Sequence, residues 1–256
     1  MTNSLSIVIP AYNEVTRLSE SLKVVVDYLP ANWPDSELIV VDDGSTDKTA
    51  AVAREVLDNA GSLRTSVISY KLNLGKGRAV RLGLLAARND VVLFSDADLS
   101  TPITEVPKLV EPILRGECDL TFGSRALDRN LIGVHQPWRR EQGGRIFNLV
   151  VRLATGLPFW DTQCGFKAFR MGICRPLVEA ANVDRFGFDV ELLYLAYKAG
   201  LRMREIPVRW DHNDGSKLSV VSDSIKALNE VGSIRQQARR GFYDKAIRQV
   251  KEMSRT

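Results

Sequence analysis

Cysteine is scarce in this chain. There are three in 256 residues, and Cys118, Cys164 and Cys174 are odd in number and lack metal-ligand spacing. These counts exclude a disulfide scaffold and predict a reducing, cytoplasmic setting. Histidine is scarcer still: His135 and His212 lie far apart with no companion ligands, which argues against a zinc site. No run approaches the roughly 18 apolar residues of a membrane span. The opening Met-Thr-Asn-Ser-Leu-Ser lacks the basic-then-apolar build of a signal peptide. The expectation is a protein that is soluble or peripheral to a membrane. No Gly-x-Gly-x-x-Gly follows the first apolar run, and no Gly-x-x-x-x-Gly-Lys-Ser/Thr occurs. Dinucleotide oxidoreductase, ATPase and kinase readings therefore lose their fingerprints.

What is present is ordinary globular usage, 45% hydrophobic and 26% charged, which excludes disorder and fibrous folds. The net charge of +4 is uneven: from Lys217 onward nine Lys/Arg stand against four Asp/Glu, leaving residues 1–216 close to neutral. A basic tail on a neutral body suits an anionic surface, either a membrane or a nucleic acid, and equally a solvated helical face. Its basic residues are not interleaved with stacking aromatics beyond Phe242-Tyr243, so a nucleic-acid-binding or scaffold role ranks last.

Short β-rich runs at 6–10, 38–41, 66–70 and 90–94 alternate with helical patterning at 15–29, 46–57 and 77–87, with Ser45 or Thr46 as the cap of the second helix. Such alternation predicts βαβ units and a mainly parallel sheet, an α/β fold whose ligands bind beyond the carboxyl ends of the strands. Three polar clusters, 10–14, 42–47 and 95–98, fall at those ends. The second half is less regular. It offers a strand at 120–123, a polar loop at 128–145, an apolar helix at 146–157, a helix at 190–199, an edge strand at 204–210 with its Pro207, and helices from 220 on. One domain over 1–216, with a nucleotide-binding half to 130 and an acceptor half after it, plus an amphipathic basic tail at 217–256, is the simplest account.

Asp96-Ala97-Asp98 ends the fourth strand. Two carboxylates one residue apart can hold a hard divalent cation that also takes substrate phosphate oxygens, and they equally suit a strand-ending turn. Asp42-Asp43-Gly44-Ser45 has the same two readings, a turn or a carboxylate facing a base or ribose. Gly75-Lys76-Gly77 permits close backbone approach and places a Lys that can meet a phosphate.

Taken in order, Ile9-Pro-Ala-Tyr-Asn-Glu14, Val41-Asp-Asp-Gly-Ser-Thr-Asp47, Asn73-Leu-Gly-Lys-Gly77 and Ser95-Asp-Ala-Asp98 resemble the inverting glycosyltransferases of family two, which have the GT-A fold. The likeness is firm over about the first 130 residues. Gly123-Ser-Arg125, His135-Gln-Pro-Trp-Arg-Arg-Glu141, Asp161-Thr-Gln-Cys-Gly-Phe-Lys167 and Phe186-Gly-Phe-Asp-Val-Glu191 are similar to the branch that glucosylates dolichyl phosphate. More distant relatives are the dolichol-phosphate mannose synthases, from which this chain departs at His212, usually an Arg, and at Ser100, where a third metal-side group stands. The Gln-x-x-Arg-Trp motif of processive polymerases is missing, so a single sugar transfer is implied.

The resemblance implies that Pro10, Ala11, Tyr12 and Glu14 line the nucleoside pocket, and that Asp43 meets the base. It places Asp96, Ala97 and Asp98 at the sugar nucleotide, with Mg²⁺ or Mn²⁺ on the two carboxylates. Arg125 matches an arginine that contacts phosphate, and Lys217 a lysine that stabilises the diphosphate. Lys76 joins the donor site on the reading above. The expected donor is a UDP-hexose, with GDP-mannose as the alternative. The acceptor is a polyprenyl phosphate met at the cytoplasmic membrane face, with or without a separate membrane partner, or else a soluble molecule.

Chemistry supports the acceptor type. A sugar hydroxyl must lose its proton to a general base, and Glu141, Asp161 and Asp189 are the candidates. A phosphate monoester is already anionic at neutral pH and needs cationic positioning instead. Arg125, Arg139, Arg140, Lys167 and His212 are available for it. The helix at 146–157, with Phe159 and Trp160 after it, can lie in a membrane interface or pack as a core helix.

Overall fold

The parallel strands form as the alternation predicts, and the sheet they build is larger than the sequence shows. The computed structural model describes residues 4–134, 138–213 and 220–254, with side chains throughout except at 138–140 and 220–225. The first half runs β1 (Ser6–Ala11), α1 (Leu18–Asn32), β2 (Glu37–Asp42), α2 (Thr49–Asp58), β3 (Arg64–Ser69), α3 (Lys76–Ala86) and β4 (Val91–Ser95). Then follow α4 (Val106–Leu114), β5 (Leu120–Ser124), β6 (Ile132–Val134), α5 (Trp138–Thr155), β7 (Phe166–Arg170), α6 (Met171–Ala180) and α7 (Phe188–Ala199). The chain closes with β8 (Met203–Pro207), β9 (Trp210–Asp211), α8 (Val220–Arg239) and α9 (Asp244–Met253).

Seven strands pair in the order β3-β2-β1-β4-β7-β5-β8, and β6 pairs with β9 separately. Strand β7 runs antiparallel to both β4 and β5, while the other pairings in the large sheet are parallel. Strand alternation sends Ile7, Ile9, Leu38, Val40 and Leu93 to one face, under α1, α2 and α4. Val8, Ile39, Val41, Val92 and Phe94 go to the other, under α3, α6, α7 and the C-terminal helices. Both faces are covered, which is why these strands read as nearly unbroken apolar runs.

Three readings change. Residues 128–145 are not one polar loop: they contain a short 3₁₀ turn, β6 and the start of α5. Glu141 pairs with Arg129 and, one turn on, with Arg145, so charged pairs rather than an apolar stripe mark this helix start. Ser45 and Thr46 do not cap α2. The cap position is Lys48, which makes no side-chain cap bond; Asp47 before it accepts through Oδ1 from Thr49 N at 2.9 Å, while Ser45 Oγ accepts from Asn13 N. The predicted edge strand divides into β8, at the sheet edge with Pro207 as its last residue, and β9.

The C-terminal helices are fastened to the body. Tyr243 is fully buried and its hydroxyl donates to Glu191 Oε1 at 2.6 Å. Glu191 also accepts from the backbone N–H groups of Asn182 and Val183. Burial raises the carboxyl pKa of Glu191 even with these donors around it. Val231, Ile234 and Val250 join the same core as α6 and α7.

Candidate active site

Loops after β1, β2 and β4 lie side by side because their strands are neighbours in the sheet. Asn13 adopts a left-handed conformation (φ 53°) and joins the first two loops, receiving from Thr46 N at 2.9 Å and donating to Ser45 Oγ. Glu14 N donates to Thr49 Oγ1 at 2.8 Å. Of the residues assigned to the nucleoside pocket, Pro10 and Ala11 close β1, Tyr12 is 40% exposed, and Glu14 is held by Arg17 Nη2 at 2.7 Å.

Asp43 differs from its expectation. Its carboxylate accepts from Tyr70 Oη (2.7 Å), Asn73 Nδ2 (2.8 Å), Leu74 N (2.9 Å) and Gly75 N (2.9 Å). A carboxylate offers about four lone-pair sites, so Asp43 is occupied inside the protein and ties down the loop that presents Lys76. Burial, then the bond to Asp43, raises the Tyr70 phenol pKa. The close approach permitted at Gly75 and Gly77 is also internal. A Cβ on Gly75 would lie 2.3 Å from Asp184 O, and one on Gly77 2.5 Å from Phe188 Cβ.

Asp96 and Asp98 end β4 in a turn closed by Leu99 N to Asp96 O at 3.1 Å, with Leu99 left-handed (φ 47°). Ser100 N donates to Asp98 Oδ1 at 3.0 Å, and Asn213 Nδ2 donates to Asp98 O at 2.6 Å. Asp96 N bonds Gly165 O at 3.0 Å, and a Cβ on Gly165 would lie 2.1 Å from Asp96 Oδ2. The antiparallel strand β7 therefore brings a residue without a side chain to the one place where Asp96 needs room. Lys76 Nζ forms an ion pair with Asp96 Oδ1, and Arg17 Nη1 lies 3.9 Å from Asp98 Oδ2. Burial lowers the Lys76 pKa, but Asp96, Asp189 and Asp98 outweigh it, so the net shift is upward.

These donors fit a hard divalent cation. Both are carboxylates, and no group of three or more His, Cys, Asp or Glu side chains suited to a metal occurs among the described residues. Mg²⁺-type sites of this kind use one or two carboxylates and complete their shell with substrate phosphate and water.

The acceptor-side residues are engaged with one another. Arg125 grips Asp161 through Nε–Oδ2 at 2.7 Å and Nη2–Oδ1 at 2.8 Å, with its guanidinium 5.5 Å from the Trp210 ring centroid. Burial raises the Asp161 pKa, yet the adjacent Arg125 brings it down to about 2. Because the folded value lies below the ordinary 3.8, this carboxylate stabilises the fold above about pH 4, and the contribution disappears as pH falls through 2. Urea unfolding of wild type and Asp161→Asn should accordingly show a stability gap at pH 5 that closes toward pH 2; a gap constant across that range refutes the assignment.

Lys167, expected at the acceptor phosphate, is not there. Its side chain is fully buried on β7 and donates to Asp189 Oδ1 and Cys164 O, both at 2.5 Å. Its ammonium is taken up by these two internal acceptors on a central strand. His212 stacks on Trp210 with ring centroids 5.9 Å apart. Arg139 and Arg140 start α5, with side chains outside the described residues, as is all of Lys217. Arg17 and Asn213 carry no signal in the sequence beyond their nearness to a motif, and Gly165 lies within the 161–167 motif without its role showing there.

Comparison with known proteins agrees with this architecture. The family model described as glycosyl transferase family 2 matches residues 6–177. The Drosophila melanogaster dolichyl-phosphate β-glucosyltransferase is 39% identical over 84% of this chain and 69% of its own length. The Saccharomyces cerevisiae enzyme of that name is 32% identical over 93% and 76%, and the human one 35% over 85% and 70%. Among solved structures, glucosyl-3-phosphoglycerate synthase from Mycobacterium tuberculosis, in complex with Mn²⁺, UDP-glucose and phosphoglyceric acid, superposes with a TM-score of 0.66. It covers 90% of this chain and 79% of that one at 24% identity. Sheet order, strand-end motifs and family match lead to one conclusion: the chain belongs to glycosyltransferase family 2 and is a glycosyltransferase of the GT-A fold.

Proposed function

We propose that the protein transfers one glucose from UDP-glucose, with inversion, to the phosphate of dolichyl or a related polyprenyl phosphate. An acceptor phosphate oxygen attacks the anomeric carbon as the bond to the UDP β-phosphate oxygen breaks, and UDP leaves with the bonding pair. Asp96 and Asp98 would hold Mg²⁺ or Mn²⁺, which offsets the charge growing on the leaving diphosphate. Lys76 reaches the same charge from α3. Pro10, Ala11, Tyr12 and Glu14 border the nucleoside, and Asp43 acts through the loop it fastens.

The observation that carries the acceptor class is the state of the candidate bases. Asp161 is held by Arg125, Asp189 by Lys167, and Glu141 by Arg129 and Arg145. Arg125 holds the Asp161 carboxyl well below the ordinary range, and Asp189, whose pKa burial raises, is sealed in the interior against Lys167, so a hydroxyl acceptor is badly served and an acceptor already anionic is well served. The relatives named above are dolichyl-phosphate β-glucosyltransferases, and the solved neighbour binds UDP-glucose with Mn²⁺.

A lipid-linked phosphate must be met at a bilayer surface. No helix among the described residues is long and apolar enough to cross a membrane. Helix α5 is half-buried, with Asn148 and Val151 inward and Ile146, Leu149, Val150 and Leu153 exposed. These four recur at helical spacing and form one apolar stripe. Trp160 is 57% exposed beside it, with Arg152 4.0 Å from its ring. Such a stripe suits interfacial seating, with basic residues adding attraction to anionic lipid.

The test supplies UDP-glucose and GDP-mannose in turn to the purified protein with Mn²⁺, dolichyl phosphate in anionic vesicles, or a free glycan. Glucosyl-phosphoryl-dolichol from UDP-glucose alone is expected. Leu149→Glu/Leu153→Glu should lower transfer on vesicles and leave it unchanged on a short detergent-soluble acceptor phosphate. Transfer to the free glycan but not to the lipid phosphate overturns the acceptor, and mannosyl transfer overturns the donor.

A further inference from the structure

The carboxylate pair ending β4 already faces two cations of the chain's own. Lys76 Nζ is paired with Asp96 Oδ1, and Arg17 Nη1 stands near Asp98 Oδ2 while the rest of its guanidinium holds Glu14. The two arrangements differ in strength. Arg17 is anchored by two nitrogens on Glu14 and only grazes Asp98 at 3.9 Å. Lys76 is committed to Asp96: the two side chains remain 30% and 34% exposed, while the contacted Oδ1 is itself buried.

The backbone beneath Lys76 is fixed. Gly75 and Gly77 lie against Asp184 and Phe188, Gly75 N is bonded to Asp43, and Arg78 N donates to Asp184 O at 3.1 Å. Only the four-carbon stem of Lys76 is left to move. An ammonium on Asp96 Oδ1 and a divalent cation on the same oxygen repel and compete for one acceptor. The donor diphosphate is the substrate anion whose charge the metal offsets, and it gives the ammonium another anion to go to.

We propose that Lys76 is a built-in occupant of Asp96 that makes divalent-cation binding conditional on the donor: the donor diphosphate draws the ammonium away, and Asp96 is freed for the metal. This rests on Asp96 and Asp98 being the metal carboxylates. It assigns Lys76 two partners in sequence, where a simple phosphate ligand would have one. By linkage, the metal must strengthen nucleotide binding by the same factor as the nucleotide strengthens metal binding.

The experiment is Mn²⁺ titration followed by electron paramagnetic resonance, with and without UDP, on wild type, Lys76→Gln, Lys76→Arg and Asp96→Asn. Wild type is expected to bind Mn²⁺ weakly alone and strongly with UDP. Lys76→Gln should bind Mn²⁺ alone about tenfold more tightly than wild type and lose most of the UDP dependence. Lys76→Arg, which keeps the charge, should keep the dependence, and it guards against a fold defect in the neutral variant. Lys76→Gln binding Mn²⁺ alone no more tightly than wild type, while Asp96→Asn abolishes binding, overturns the proposal and leaves the metal assignment standing. Asp96→Asn binding Mn²⁺ as wild type does overturns both.

Discussion

Asp98→Asn should reduce kcat/KM for sugar transfer by about 10³-fold while leaving the thermal unfolding midpoint within a few degrees of wild type. The substitution keeps the size of the side chain and its bond from Ser100 N, since the amide oxygen still accepts. What it removes is the negative charge. A cation at the pair then loses one of two protein carboxylates, and the several kcal/mol by which it favours the departing diphosphate shrink with it. The group stands in a turn after β4, partly exposed and not in the core, so stability changes little. Steady-state kinetics over a Mn²⁺ series checks this: activity that saturates at higher metal but never recovers is expected. Full activity with an unchanged metal response would remove Asp98 from the site.

The largest effect on stability should come from Lys167→Met. Lys167 and Asp189 are a buried ion pair on a central strand and the first turn of α7. Removing one member of such a pair leaves an uncompensated buried charge, a loss of about 3–5 kcal/mol. For a chain of this size that corresponds to a midpoint lower by about 10 °C. Burial already raises the Asp189 carboxyl pKa, even though Lys167 and Lys76 oppose the shift. Without Lys167 the folded value rises further above the unfolded one, so the deficit deepens as pH climbs from the ordinary carboxylate range and is smallest below it. Lys167→Met/Asp189→Leu should recover most of the loss, because two apolar groups of similar volume replace the pair. Calorimetry on the three proteins decides it. A double variant as unstable as the single one would show that the pair does more than neutralise charge.

Much of the donor side was legible in the sequence because it is local. A strand end, a turn and a helix start are consecutive residues, so Asp96-Ala97-Asp98 and Gly75-Lys76-Gly77 each announce themselves within a few positions. The acceptor side was not. Lys167 sits in a motif beside Asp161, and nothing in one dimension shows that alternate residues of β7 face opposite ways. That strand was itself hidden, since a buried antiparallel strand of five residues leaves no periodic signal. Helices α4 and α6 were masked by Pro112 and Pro176, which tertiary packing tolerates inside them.

By itself the sequence determined the α/β architecture, the succession of the first four strands along the chain and the placing of polar clusters at their carboxyl ends. Periodicity and turn chemistry act over a few residues and need no partner. Only the tertiary structure decided which of those polar groups are free to meet a ligand. It turned Asp43 inward onto its own loop, sealed Lys167 against Asp189, locked Arg125 to Asp161, and brought Gly165 up to Asp96 from 69 positions away. The physical reason is that a charged side chain takes the strongest partner within reach, and reach is set by strand order and burial, which no short stretch of sequence contains.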